Sequence, residues 1–100
     1  MLRHIVAWNY KDGFTETENK ENAMKIKTEL EALTKCIDEI IELKVYINTL
    51  PSGNRDIILS SLFENEEKLA AYQVHPEHKR VSSFVRTVTQ NRACIDYYED

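Results

Sequence analysis

The sequence predicts an α+β domain of order βαββαβ, and three observations predict it. Hydrophobic spacing switches between a period of two and a helical period along the chain. Turn formers at Pro51-Ser52-Gly53-Asn54 separate the two central extended stretches. A proline, Pro76, interrupts the second helical stretch. This order is the split βαβ, ferredoxin-like arrangement, in which a four-stranded antiparallel sheet carries its helices on one face.

Each element follows from local chemistry. Leu2 to Tyr10 is rich in β-branched and aromatic residues and ends at the turn signal Lys11-Asp12-Gly13, so it reads as the first strand. From Thr15 the period changes: Ala23, Ile26, Leu30 and Leu33 recur at helical spacing, with Glu and Lys between them. This predicts an amphipathic helix capped by Thr15 or Thr17 and reaching about Lys35. Ile37 to Leu50 returns to alternation, with Ile37, Ile41, Leu43, Val45 and Ile47 on one face and Asp38, Glu42, Lys44, Tyr46 and Asn48 on the other. After the turn at 51–54, Arg55 to Phe63 reads as a third strand in a hairpin with the second. Glu64-Asn65 opens a short helix that Pro76 breaks, a second helix covers 76–89, and Arg92 to Tyr98 is the last strand.

Composition bounds the partners. One domain spans residues 1–100, with 42% hydrophobic residues. A domain of this size buries only roughly two thirds of its unfolded surface, so association helps it. The 13 Lys and Arg against 17 Asp and Glu give a net charge of -4, with both signs scattered. That excludes nucleic acid and anionic membrane surfaces as partners, since there is no basic stripe. No stretch approaches the roughly 18 apolar residues of a membrane span, and the N-terminus lacks an apolar signal core, so a cytoplasmic protein is expected. Cys36 and Cys94 lie far apart without CxxC spacing, and their apolar neighbours predict reduced, buried thiols.

A sheet covered on one side leaves its other face bare. The expected facing puts Ile5 and Ala7 toward the helices and His4, Val6, Trp8 and Tyr10 on the bare side, beside Glu42, Lys44 and Tyr46. A face holding Trp8, Tyr10 and Tyr46 next to His4 reads as an interface or pocket lining, which predicts a homodimer. A shift of one residue inverts this facing.

Four stretches carry a family resemblance: Arg3-His4-Ile5-Val6-Ala7-Trp8, Asp56 to Phe63, Leu69 to His78 and Arg92 to Tyr97. Together they resemble the stress-responsive A/B barrel family over essentially the whole chain. The most specific part is Tyr72-x-x-His75-Pro76-x-His78 combined with the early His4. The resemblance implies ferredoxin-like protomers whose sheets combine into a dimeric α/β barrel, and for most members it implies no established reaction. One plant member is a polyketide cyclase whose histidine and tyrosine match His78 and Tyr72; related dimeric barrels include monooxygenases that work without a metal.

The candidate pocket residues are Trp8, His4, Tyr46, Tyr72 and His78, set between the sheet and the broken second helix. The break at His75-Pro76 can turn Tyr72 and His78 toward one cavity. An imidazole is a natural base for a carbon acid, and a phenol can hydrogen-bond an enolate. Tyr72 as a packed ring and His78 as a cap are the structural alternatives. His4 is open to three readings: a pocket donor, a second acid-base group, or a buried ring satisfied by a carboxylate such as Asp56 or Asp96. His75 before Pro76 reads as an N-cap or packing residue. His75-x-x-His78 lacks a second ligand pair, so no metal and no cofactor are expected. The function expected is binding of a small apolar or aromatic molecule in a barrel pocket that the two protomers enclose together, in a stress-response-type role; the alternative is a cofactor-free enzyme, of the polyketide cyclase, lyase or monooxygenase kind, using His78 and Tyr72.

Overall fold

The computed structural model describes residues 1–99. Its elements are β1 (Leu2–Tyr10), α1 (Glu16–Glu31), β2 (Glu42–Tyr46), β3 (Ile57–Phe63), α2 (Glu66–Val74), α3 (Pro76–Val88) and β4 (Thr89–Tyr98). The strands form one antiparallel sheet in the order β2-β3-β1-β4. The βαββαβ order with a divided second helix is the one the sequence predicts. Among the described residues no helix is long and apolar enough to cross a membrane.

α1 begins at a capping box. The Thr15 hydroxyl accepts from the Glu18 N–H at 3.1 Å and Glu18 returns a carboxylate to the Thr15 N–H at 2.9 Å. Ala23, Ile26 and Leu30 are buried, and Leu33 continues the apolar stripe through a short 3-10 turn, Ala32–Lys35. From the same helix Lys27 donates to the Val45 carbonyl at 2.7 Å, while Glu31 accepts the Val45 N–H at 3.0 Å. These side chains satisfy the outer backbone groups of β2, an edge strand.

β2 is much shorter than the alternation over 37–50 predicts. Ile37 is buried because it closes the 3-10 turn, its N–H bonded to the Leu33 carbonyl at 2.9 Å, and not because it lies in a strand. Ile41 is exposed ahead of the strand, so an apparent period of two spans a turn. Leu43 and Val45 do face the core, and β2 pairs with β3 as expected. β4 begins at Thr89, earlier than expected, where a bulge opposite Ala7 and Asn9 puts Asn91 at a φ of 55°. Asparagine is among the residues that tolerate this left-handed conformation.

The facing of β1 is the reverse of the expectation. Leu2, His4, Val6 and Trp8 point into the helix-covered core, whereas Ile5 and Ala7 occupy the bare side. Both sides of this strand are apolar, so alternation alone did not say which side the helices cover. The core between sheet and helices holds Ile26, Leu33, Val45, Ile57, Phe63, Tyr72 and Val81. Cys36 and Cys94, expected to be buried, are both exposed free thiols.

Candidate functional site

A cavity of about 200 Å³ opens between the helix-covered side of the sheet and the helices. Its floor is His4, Val6 and Trp8 of β1, with Leu59 beside them. Leu30, Gln73, His78, Ser82 and Val85 form the helical wall, and Arg86 and Arg92 complete the lining with cationic groups. The wall depends on the break between α2 and α3. His75 ends α2, and its Nδ1 accepts from the Glu77 N–H at 3.1 Å while Pro76 takes the first position of α3. A proline costs nothing there, because that N–H has no helical partner.

The break fixes the state of His78. Its Nδ1 lies 3.1 Å from the carbonyl oxygen of Gln73. A carbonyl only accepts, so Nδ1 carries the hydrogen and Nε2 keeps the lone pair of the neutral ring. Burial pushes the imidazole below its ordinary range; the Gln73 bond opposes this, and His4, Arg86 and Arg92 reinforce it. His78 is therefore neutral at physiological pH and presents a ring nitrogen able to accept a proton.

Tyr72 packs directly behind it. The two rings are 4.4 Å apart at their centroids, and the Phe63 ring sits 5.0 Å from that of Tyr72. Tyr72 is fully buried, and its hydroxyl is without a hydrogen-bond partner among the described residues. Burial alone pushes the phenol well above its ordinary range, so it stays protonated. The tyrosine supports the His78 ring but is not part of the cavity lining.

His4 is held from the sheet. It is only 3% exposed, and its Nδ1 donates to Asp96 Oδ1 at 2.5 Å. The two residues stand directly opposite each other in the β1–β4 ladder. Cys94 lies two residues before Asp96, with Sγ 3.5 Å from Asp96 Oδ2 and 3.7 Å from His4 Nδ1. Burial and the neighbouring Asp96 charge push the Cys94 thiol up, so it is a poor nucleophile in this state.

The structure thus brings His4, Trp8 and His78 around one cavity, with Tyr72 behind His78. Tyr46 is elsewhere: it lines an open groove on the bare face with Ile5, Ala7, Ile58, Ala93 and Ile95. Gln73, Ser82, Arg86 and Arg92 were not singled out from the sequence. His78, Ser82 and Arg86 recur every four residues along α3, a shared face that helical spacing reveals. No such signal marks Arg92, which depends on the sheet register.

The profile of the stress responsive A/B barrel domain matches residues 2–99. No curated protein matches the chain. A dimeric ferredoxin-like protein of unknown function from Bacteroides fragilis is 30% identical with a TM-score of 0.89, the match covering 96% of this chain and 93% of that one. A dimeric ferredoxin-like protein of unknown function from Thermobifida fusca is 23% identical, with a TM-score of 0.81 over 96% and 88% of the two chains. A hydroxynitrile lyase from Passiflora edulis shares the fold at 15% identity, with a TM-score of 0.81 over 99% and 93%. With its profile match over nearly the whole chain and this fold, the chain belongs to the stress responsive A/B barrel family.

Proposed function

We propose that this chain works as a homodimer, joined through the bare sheet face, in which each protomer binds a small molecule in the cavity under its broken helix. The observation that carries the binding reading is an apolar cavity with clustered polar groups, a combination typical of ligand sites. Val6, Trp8, Leu30 and Leu59 suit an apolar or aromatic body, and the guanidinium donors of Arg86 and Arg92 suit an oxygen-bearing end. Size narrows the choice. Dry cavities of about 150 Å³ accept benzene, so about 200 Å³ fits a single ring with a small substituent. A long polyketide chain is too large for the cavity as it stands.

Trp8 is the only tryptophan, and it lies in the cavity floor, so its fluorescence reports occupancy. Titration with benzoate is expected to change Trp8 emission saturably, and Arg86→Ala with Arg92→Ala to weaken the effect at least tenfold. An unresponsive tryptophan across single-ring carboxylates, phenols and ketones sinks the reading.

The homodimer has its own support. The bare-face groove exposes Tyr46, Leu50 and Ile95, and the Bacteroides and Thermobifida proteins of this fold are described as dimeric.

A second reading has one specific observation behind it. The Gln73 carbonyl selects the His78 tautomer that a general base needs, and that ring lines the cavity. The hydroxynitrile lyase shows that this fold can house a catalyst. Turnover of activated β-keto compounds by the native protein and by His78→Ala decides it; equal rates rule the base role out.

A further inference from the structure

We propose that His4, Cys94 and Asp96 form a three-ligand site for a borderline-soft divalent cation, of which zinc is the best match. The donors Nδ1, Sγ and a carboxylate oxygen all lie within 4.8 Å of one another. Tetrahedral zinc with ordinary bond lengths to nitrogen, sulfur and oxygen requires donor separations of about 3.4–3.6 Å. The observed separations are 3.7 Å from Cys94 Sγ to His4 Nδ1 and 3.5 Å from Cys94 Sγ to Asp96 Oδ2. The two separations made by the sulfur are therefore already close to the required size, the one to the carboxylate being measured at Oδ2.

Between His4 and Asp96 the gap is closed by a hydrogen bond to the other carboxylate oxygen, His4 Nδ1–H to Asp96 Oδ1 at 2.5 Å. On binding, the cation replaces this hydrogen, which moves to Nε2 of the same ring, and the thiol proton leaves to solvent. The carboxylate must then withdraw by nearly 1 Å to reach bonding geometry. Asp96 can do so, since its side chain is 44% exposed and, among the described residues, is held by His4 and Cys94 alone. His4 stays fixed in the core.

Strand geometry explains why these three meet. His4 and Asp96 are direct cross-strand partners, and Cys94 occupies the next position on the same face of β4. One thiolate and one carboxylate would neutralise a dication, leaving the nearby Arg92 as the local positive charge. Hard cations such as magnesium and calcium prefer all-oxygen shells, which one carboxylate does not supply. A nitrogen, sulfur and oxygen set suits zinc or cobalt. With three protein ligands, a fourth position stays open, as in zinc sites that take an exchangeable ligand.

The test uses the full chain with cobalt(II) chloride alone. The native protein should give a thiolate-to-cobalt charge-transfer band that saturates at one cobalt per chain and bleaches when zinc is added. Cys36→Ser should keep the band and Cys94→Ser should lose it, while Asp96→Asn should weaken cobalt binding at least tenfold. His4 is buried, so its substitution risks unfolding. Its ligation is read in the native protein, from a zinc-induced shift of the Nδ1 resonance. A simple hydrogen-bonded triad gives no band with cobalt, and that result overturns the site. So does a band that survives Cys94→Ser or disappears with Cys36→Ser.

Discussion

At the scale of single residues, His78 and Tyr72 differ in what their burial does. For His78 the folded-state pKa is depressed by burial, so the unfolded chain takes up a proton near pH 6.5 while the folded chain resists it. The unfolded state therefore binds more protons in this window. Stability should fall as pH drops below about 6.5, and His78→Gln should flatten this part of the profile, as measured by urea midpoints between pH 7.5 and pH 5. An unchanged profile contradicts the assignment. Tyr72 contributes its ring and not its hydroxyl, which is buried without a partner among the described residues. Tyr72→Phe should leave thermal stability equal or slightly higher, because no hydrogen bond is lost, whereas Tyr72→Ala should cost about 3–5 kcal/mol. Both residues were visible in the sequence through the motif around Pro76, but their inequality was not. It depends on Phe63 and Gln73, which the fold brings in from β3 and from α2.

At the scale of elements, the helices were legible because their signals are local. The Thr15 and Glu18 pair is three residues apart, the Ala23 to Leu33 stripe lies within one segment, and the Pro76 break needs no tertiary knowledge. Thr15→Ala should cost about 1 kcal/mol, since the hydroxyl that accepts the Glu18 N–H is lost while the backbone N–H of residue 15 keeps its bond to Glu18, and Thr17→Ala should cost little. Equal losses from the two threonines would place the cap wrongly. Strands were less legible, for a physical reason. Alternation reports that a segment has two unlike sides, yet β1 has Val6 and Trp8 on one side and Ile5 and Ala7 on the other, all acceptable to an apolar environment. Its orientation came from the helices and not from its own residues. Cys94 and Asp96 show the same limit. Their spacing puts them on one face of β4, but only the pairing with β1 places them at His4.

For the whole molecule, the decisive feature is that the two candidate sites lie on opposite sides of one sheet. The cavity lies on the helix-covered side, while the groove holding Tyr46 and Ile95 is open on the bare side. The two sides can therefore be perturbed separately. A stable homodimer buries about 800 Å² per partner, roughly an eighth of the 6245 Å² protomer surface, and the bare face exposes Tyr46, Leu50 and Ile95 around one groove. Ile95 lies on that face and is 60% exposed, so a lysine there should leave the protomer fold intact. In a two-fold interface the substitution acts on both copies. At about 2 kcal/mol each, the dimer should weaken roughly 10³-fold. Light scattering at micromolar concentration should then move from about twice the 11.7 kDa chain mass to the chain mass itself. Met24→Lys, on α1 and also exposed, should leave the dimer unchanged. The same monomeric variant then separates assembly from binding: because the cavity lies on the side of the sheet away from the bare face, benzoate should still alter Trp8 emission. Loss of that response on dissociation would mean that the partner holds the cavity in shape, and binding and assembly would be one property instead of two.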